Sequence, residues 1–236
     1  MLNHKPRKRG RGRPPGRTIQ GDTARRKLYE EAIRLVAKRG YANATLREIA
    51  GSAGVSPALL YRYFPSKRAV VLALYDDLSG QYAERARGMA AGTWRERFLF
   101  ALRTSLDVLR PHRETLAGLV SILVGDADEG VLAPPTAFSR QRVQAAFETA
   151  VSGARDAPPL QEALALGRIL YLLHLAVLLW WLVDRSPEQR ATAGLVALIE
   201  QALPAAALAL RLRRMRRLVR AADGLLHDGL FGERRT

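Results

Sequence analysis

From about residue 22 onward, apolar residues recur at three- and four-residue intervals, and no stretch alternates apolar and polar with period two. A period near 3.6 lines up one face of an α-helix, whereas a half-buried strand needs period two. The chain is therefore expected to be all-α. Glycine, proline and capping residues divide the pattern. Asp22 or Thr23 can cap a first helix that carries Leu28, Ala32, Leu35 and Val36 and ends at Gly40. Thr45 caps a short second helix through about Ser52. Ser56 and Pro57 start a third, because serine caps the end and proline suits the first helical position. Pro65 and Ser66 then open a longer helix through Leu78. Breaks at Gly92, Pro111, 125–135, Pro158–Pro159, Pro187 and Pro204 leave about six further helices. Three regions follow: a disordered basic arm over 1–20, a compact helical unit over 21–80 and a larger helical domain over 81–236.

Composition narrows the classes. The 236 residues are 48% hydrophobic, enough for a sizeable core, and contain no cysteine. Disulfides and thiolate metal sites are excluded, which suits a reducing cytoplasm. The first twenty residues hold no apolar run suited to a signal peptide. The longest apolar stretch, Ile169 to Val183, is shorter than the roughly 20 residues of a spanning helix and reads as a buried core helix, so stable membrane insertion is not expected. The net charge of +16 is concentrated. Lys5, Arg7, Lys8, Arg9, Arg11, Arg13 and Arg17 crowd the arm, and Arg211, Arg213, Arg214, Arg216, Arg217 and Arg220 form a second cluster. Such clusters suit a polyanion, with DNA, RNA and anionic membrane all allowed. A solvated segment kept for solubility is the plainer reading.

Function enters through Thr45 to Tyr63. Leu46, Ile49 and Ala50 form the inner face of one short helix, Gly54 makes the turn, Val55 lies beneath it, and Leu60 and Phe64 anchor the next helix. This spacing fits a helix-turn-helix, and equally an ordinary helical hairpin. The outer surface separates the two. Arg47, Ser56, Tyr61, Arg62, Tyr63 and Lys67 lie outward with only Glu48 opposing them, and a buried hairpin has no use for that face.

The segment TLREIAGSAGVSPALLYRYFPSK, Thr45 to Lys67, with RGYANAT before it, resembles the DNA-binding signature of the tetracycline-repressor (TetR) family. The close match covers about Thr23 to Tyr75. WWLVDRSPEQR, Trp180 to Arg190, also looks like late helices of some members. The resemblance implies an N-terminal three-helix helix-turn-helix domain followed by a helical domain that dimerises and holds a small-molecule inducer. It implies a ligand-responsive regulator, a repressor foremost, that binds a palindromic operator in double-stranded DNA as a homodimer. Such a protein is cytoplasmic and nucleoid-associated when bound.

The chemistry of individual residues agrees with those roles. Arg47 and Arg62 suit bidentate hydrogen bonds to guanine in the major groove. Pro57, Ala58 and Leu59 offer apolar contact, for instance to a thymine methyl. Tyr61, Tyr63, Thr45 and Ser56 suit the backbone side of the interface, and Lys67 suits a phosphate. Packing against its own domain is the alternative for each tyrosine. Arg11-Gly12-Arg13-Pro14 resembles the core of an AT-hook, which places Arg11 and Arg13 in a narrow minor groove; the alternative is plain phosphate attraction.

The segment Leu160 to Val183 is apolar nearly all round and belongs inside the protein or an interface. His174 within it, and Phe98 and Leu102 upstream, are candidate ligand contacts, with core packing as the alternative reading. The expected effector is a small apolar or amphipathic organic molecule, without cofactor or metal. Pro204 to Leu226 reads as one amphipathic helix docked on the body, with membrane-surface binding as the alternative. Catalysis is not expected. The four histidines are isolated, and no HExxH, Walker or GxSxG pattern occurs. A DNA-coating protein without inducer and a membrane-associated helical protein are the remaining classes.

Overall fold

The computed structural model describes residues 19–126 and 128–231. Arg11 and Arg13 lie outside this range. The described residues form eleven α-helices and no strand, so the chain is all-α. Three helices make the N-terminal unit: α1 (Ile19–Arg39), α2 (Leu46–Ala53) and α3 (Pro57–Tyr63). α1 starts ahead of the expected Asp22 or Thr23, since no proline intervenes and Gly21 costs a helix only about 1 kcal/mol. Thr45, Ser56 and Ser66 cap α2, α3 and α4 (Lys67–Ala86) as expected, each accepting a backbone N–H three residues on. Gly54 turns the chain between α2 and α3 with φ +68°, a left-handed conformation that other residues adopt only at a cost.

α4 does not stop near Gly80 but continues to Ala86, supported by packing against α5 (Trp94–Leu109) and α8 (Ala137–Ser152). Between these lie two short helices, α6 (Arg113–Ala117), resting on α1, and α7 (Val120–Gly125). α9 (Leu160–Val183) packs along α8 and is flanked by α10 (Arg190–Ala209) and α11 (Arg213–Phe231). Seven helices thus follow α4 rather than about six. The amphipathic helix expected over 204–226 is two helices. Pro204 sits inside α10, and the chain breaks after Ala209, where Arg216 Nη1 donates to the carbonyls of Leu210 and Arg211 at 3.2 and 3.0 Å.

The second domain centres on Phe147, fully buried, whose ring lies 4.7 Å from His174 and about 6 Å from Tyr82, Phe98 and Tyr171. Close approach of α8 and α9 requires Gly167: a Cβ there would lie 2.6 Å from Glu148 Cα. Two arginines close helix ends. Arg97 donates to the carbonyls of Thr149 and Ala150 at the end of α8, and Arg113 to those of Trp181 and Asp184 at the end of α9. Cations at helix C-termini satisfy free carbonyls and oppose the helix dipole. Leu160–Val183 and Pro187–Ala209 are each long and apolar enough to cross a membrane. Nine residues of α9 are buried within the protein, whereas α10 leaves Leu198 and Leu208 about two-thirds exposed.

His174 shares a 2.7 Å hydrogen bond between Nε2 and Ser105 Oγ. Burial pushes its imidazole down to about 3, with the Tyr171 carbonyl offsetting part of the effect. Below pH 6.5 the unfolded chain therefore binds a proton that the folded chain refuses, and stability falls with falling pH, at most about 1.4 kcal/mol per unit. Urea unfolding is expected to lose about 1–2 kcal/mol between pH 6.5 and 5. His174→Gln should flatten that slope; an unchanged slope would assign the acid sensitivity elsewhere.

Candidate nucleic-acid interface and the adjoining cavity

Leu28, Ala32, Ile49, Ala50, Leu60 and Phe64 are buried together with Val70, Val71 and Leu74 of α4, which fixes the angle between α2 and α3. Of the residues expected to touch DNA, Thr45, Arg47, Ser56, Pro57, Ala58, Tyr61 and Arg62 are exposed. Tyr61 is 51% exposed. Leu59 is half-buried, and Tyr63 is half-buried against the domain core, which is the packing alternative for the tyrosines.

Charge on this face is sorted by hydrogen bonding. Glu48 receives Arg39 from α1 and both the hydroxyl and the N–H of Thr45. These bonds, Thr45 foremost, hold its carboxyl below the usual range. Arg34 and Ser52 likewise enclose Glu31. Arg47 and Arg62 have no hydrogen-bond or ion-pair partner among the described residues. The one acid of the motif is thus neutralised internally while two exposed arginines stay available.

Lys67 departs from the expectation of a free phosphate contact. Its Nζ donates to the carbonyls of Tyr41 (2.8 Å) and Ala42 (3.3 Å) and lies 4.6 Å from the Tyr41 ring centroid. The ammonium clamps the α1–α2 turn. On the other side of that turn the Tyr41 hydroxyl donates to Glu129 Oε1 at 2.9 Å, and the Tyr75 hydroxyl donates to the Glu129 carbonyl at 2.9 Å. Burial, reinforced by Glu129, pushes both phenols up, so both remain donors. The loop after α7 thereby joins the N-terminal unit to the second domain.

Tyr75 also faces a cavity of about 350 Å³ between α4, α5, α8 and α9. Its walls are mainly leucine and valine, with Tyr82, Ser105, Arg140, Tyr171 and His174 among them. Of the three expected ligand contacts only His174 lines it. Phe98 and Leu102 are fully buried in the core behind the wall. Glu129 and Arg140 were not singled out from the sequence. The acidic run Asp126, Asp128 and Glu129, lying in a loop between helices, was the available signal for the first; Arg140 carries none, being one arginine among many.

Residues 28–74 match the family of bacterial regulatory proteins called the tetR family. The HTH-type transcriptional regulator BetI of Rhizobium meliloti is 37% identical over 95 residues, 39% of this chain and 47% of that protein. BetI of Brucella anthropi is 35% identical over 103 residues, 42% of this chain and 53% of that protein. The chain therefore spans about half the length of the curated relatives it matches. Among solved structures, a TetR transcriptional regulator from Nitrosomonas europaea superposes with a TM-score of 0.59 at 21% identity, over 79% of this chain and 99% of its own. A tetR-family regulator from Streptomyces coelicolor gives 0.56 at 26% identity, over 89% and 96%.

The clamp assigned to Lys67 has a measurable cost. Lys67→Met should destabilise the protein by about 1–2 kcal/mol in denaturant unfolding without DNA, because two carbonyls lose a charged donor. A side chain serving only a phosphate would leave that stability unchanged.

Proposed function

We propose that this chain, which carries the DNA-binding domain of the tetR family and the fold of that family's solved members, is a ligand-responsive transcriptional regulator. It acts in the cytoplasm as a homodimeric repressor that binds a palindromic operator and leaves it when a small organic effector fills the cavity. It is a regulator rather than an enzyme, in keeping with the named relatives. The observation that carries the reading is the unpaired outward pair Arg47 and Arg62 on a helix-turn-helix whose own acid is spent internally. Guanidinium groups without a protein partner keep both donors of their fork for a base edge or a phosphate. Tyr61 and Ser56 flank them, and the arm with Arg11 and Arg13 supplies further positive charge toward the duplex.

Two features support the finer parts of this function. α10 presents Gly194, Leu198, Ala205 and Leu208 at helical spacing to solvent, and α9 leaves Trp180 about half exposed. Small residues between leucines allow a helix from a second copy to approach closely, and a two-fold pair of reading heads matches a palindrome. The bonds from Tyr75 through Glu129 to Tyr41 and Lys67 connect the cavity wall to the turn that positions α2. A ligand that moves Tyr75 can therefore bias the reading head.

Operator DNA recovered by in vitro selection should be symmetric, with half-sites one helical turn, roughly 34 Å, or a small multiple apart. A monomer in sedimentation on an asymmetric footprint would refute the dimeric reading. Arg62→Ala should cost about 1–3 kcal/mol on that operator and much less on random DNA. Removal of residues 1–20 should weaken both DNAs together and flatten the slope of log affinity against log salt, by roughly 0.9 for each phosphate the arm had neutralised. Equal losses for Arg62→Ala on both DNAs would move Arg62 from base to backbone.

A further inference from the structure

We propose that the cavity takes an amphipathic organic anion, an elongated carboxylate whose apolar body lies among the leucines and whose head is held by Arg140. The proposal rests on reading this cavity as the effector site and narrows the chemistry of its occupant. Among the described residues Arg140 is the one permanently charged side chain lining the cavity, whose surface is otherwise largely apolar. Only its Nη1 is used by the protein, in long hydrogen bonds to the carbonyls of Ala133 (3.3 Å) and Val131 (3.5 Å). Its Nε and Nη2 have no partner among the described residues, and no carboxylate lies within ion-pair distance there. The guanidinium sits 4.6 Å from the Phe231 ring centroid at the end of α11.

Other arginines of this domain are treated differently. Arg97 and Arg113 are spent on helix-end carbonyls, Arg142 on Asp76 and Ser79, and Arg168 on Asp223. A half-buried cation beside an apolar cavity with its fork edge vacant is costly for the protein alone. The Nε–Nη2 edge has the geometry that accepts a carboxylate through two parallel hydrogen bonds.

A second polar point lies deeper. The Tyr82 hydroxyl is buried in the cavity wall and has no hydrogen-bond partner. Its ring stacks on Phe147, which follows Arg140 on α8 by seven residues, about two helical turns along the cavity wall. Several other wall hydroxyls are occupied: Ser105 by His174, Ser139 by the Thr136 carbonyl, Ser79 by Arg142 and Tyr75 by the Glu129 carbonyl. The site therefore suits a chain of several carbons with an acid at one end and an oxygen function farther along. An organic cation would meet Arg140 with the wrong sign.

The test uses the full-length protein and a matched pair of probes, decanoate and decan-1-ol, titrated calorimetrically below micellar concentrations. Release of the selected operator is followed separately by fluorescence anisotropy. The wild type should bind decanoate about tenfold more tightly than decanol or better. In Arg140→Gln the preference should shrink to about twofold or less, chiefly by loss of decanoate affinity, and Arg140→Lys should retain part of it. Equal or tighter binding of decanol by the wild type would overturn the proposal. So would a preference that survives Arg140→Gln, or binding of neither probe. Arg140-dependent decanoate binding that leaves the operator bound would support the site while sinking its role as effector site. Operator release by decanol alone would keep the effector reading and reject the anion.

Discussion

Everything in this structure hangs on α4 remaining one unbroken helix. Its first turns bury Val70, Val71 and Leu74 against α1 and α2, and its later turns present Tyr75, Leu78, Ser79 and Tyr82 to the cavity. A single hydrogen-bonded rod cannot shift at one end while staying fixed at the other without bending. The helix has a reason to bend in Gly80, which weakens propensity by about 1 kcal/mol, yet packing from α5 and α8 keeps it continuous. The reading head and the cavity therefore share a wall. The same continuous helix thus forms part of the cavity wall and packs beneath α2 and α3.

The loop after α7 adds a second connection with different physics. Glu129 takes one hydrogen bond on its side chain from Tyr41 and one on its backbone from Tyr75, while its other carboxylate oxygen is buried without a partner. A buried acceptor left unsatisfied is costly, which subtracts from what these two bonds contribute. A hundredfold change in operator affinity requires only about 2.7 kcal/mol of coupling between sites. Two hydrogen bonds, one of them to a carboxylate, are of that order. The bonds need not form a wire; they need only differ between two arrangements of the same helices.

How much of this was legible in the sequence depended on whether the determinant was local. Thr45, Ser56-Pro57, Gly54 and Ser66 declare their caps and turns by their own chemistry, and each does its expected work. The exposed arginines of the motif were equally readable, since a face is set by helical period. The start of α1, the continuation of α4 through Gly80 and the break after Ala209 depend on weak local preferences set against packing partners far along the chain, so periodicity misplaced them. Phe98 and Leu102 illustrate the same limit. Their spacing marks them as inward-facing, but whether an inward face meets a cavity or another side chain is decided by Phe147, about 50 residues away. Glu129 and Arg140 matter through atoms without a partner among the described residues, Oε2 of the first and Nε and Nη2 of the second, and such vacancies are set by the fold rather than by local sequence.

The charge map completes the separation of roles. The cluster from Arg211 to Arg220 lies where α10 turns into α11, next to the start of α9 at Pro159, while the chain direction of α9 carries its other end toward α6 and the N-terminal unit. Part of that cluster is already committed. Arg216 holds the carbonyls of the turn, and Arg220 lies 3.6 Å from Glu162. Farther along, Asp223 accepts Arg168 in a bidentate pair that ties α11 to α9. These arginines thus help to dock the last helix, and they do so at the end of the domain away from α3. A net charge of +16 overstates what reaches the duplex. On the proposed function, the charge that acts there is that of the arm and of Arg47 and Arg62, which have no partner among the described residues. On that same proposal, choice of sequence falls to the guanidinium groups of the helix-turn-helix, because a folded helix fixes their geometry.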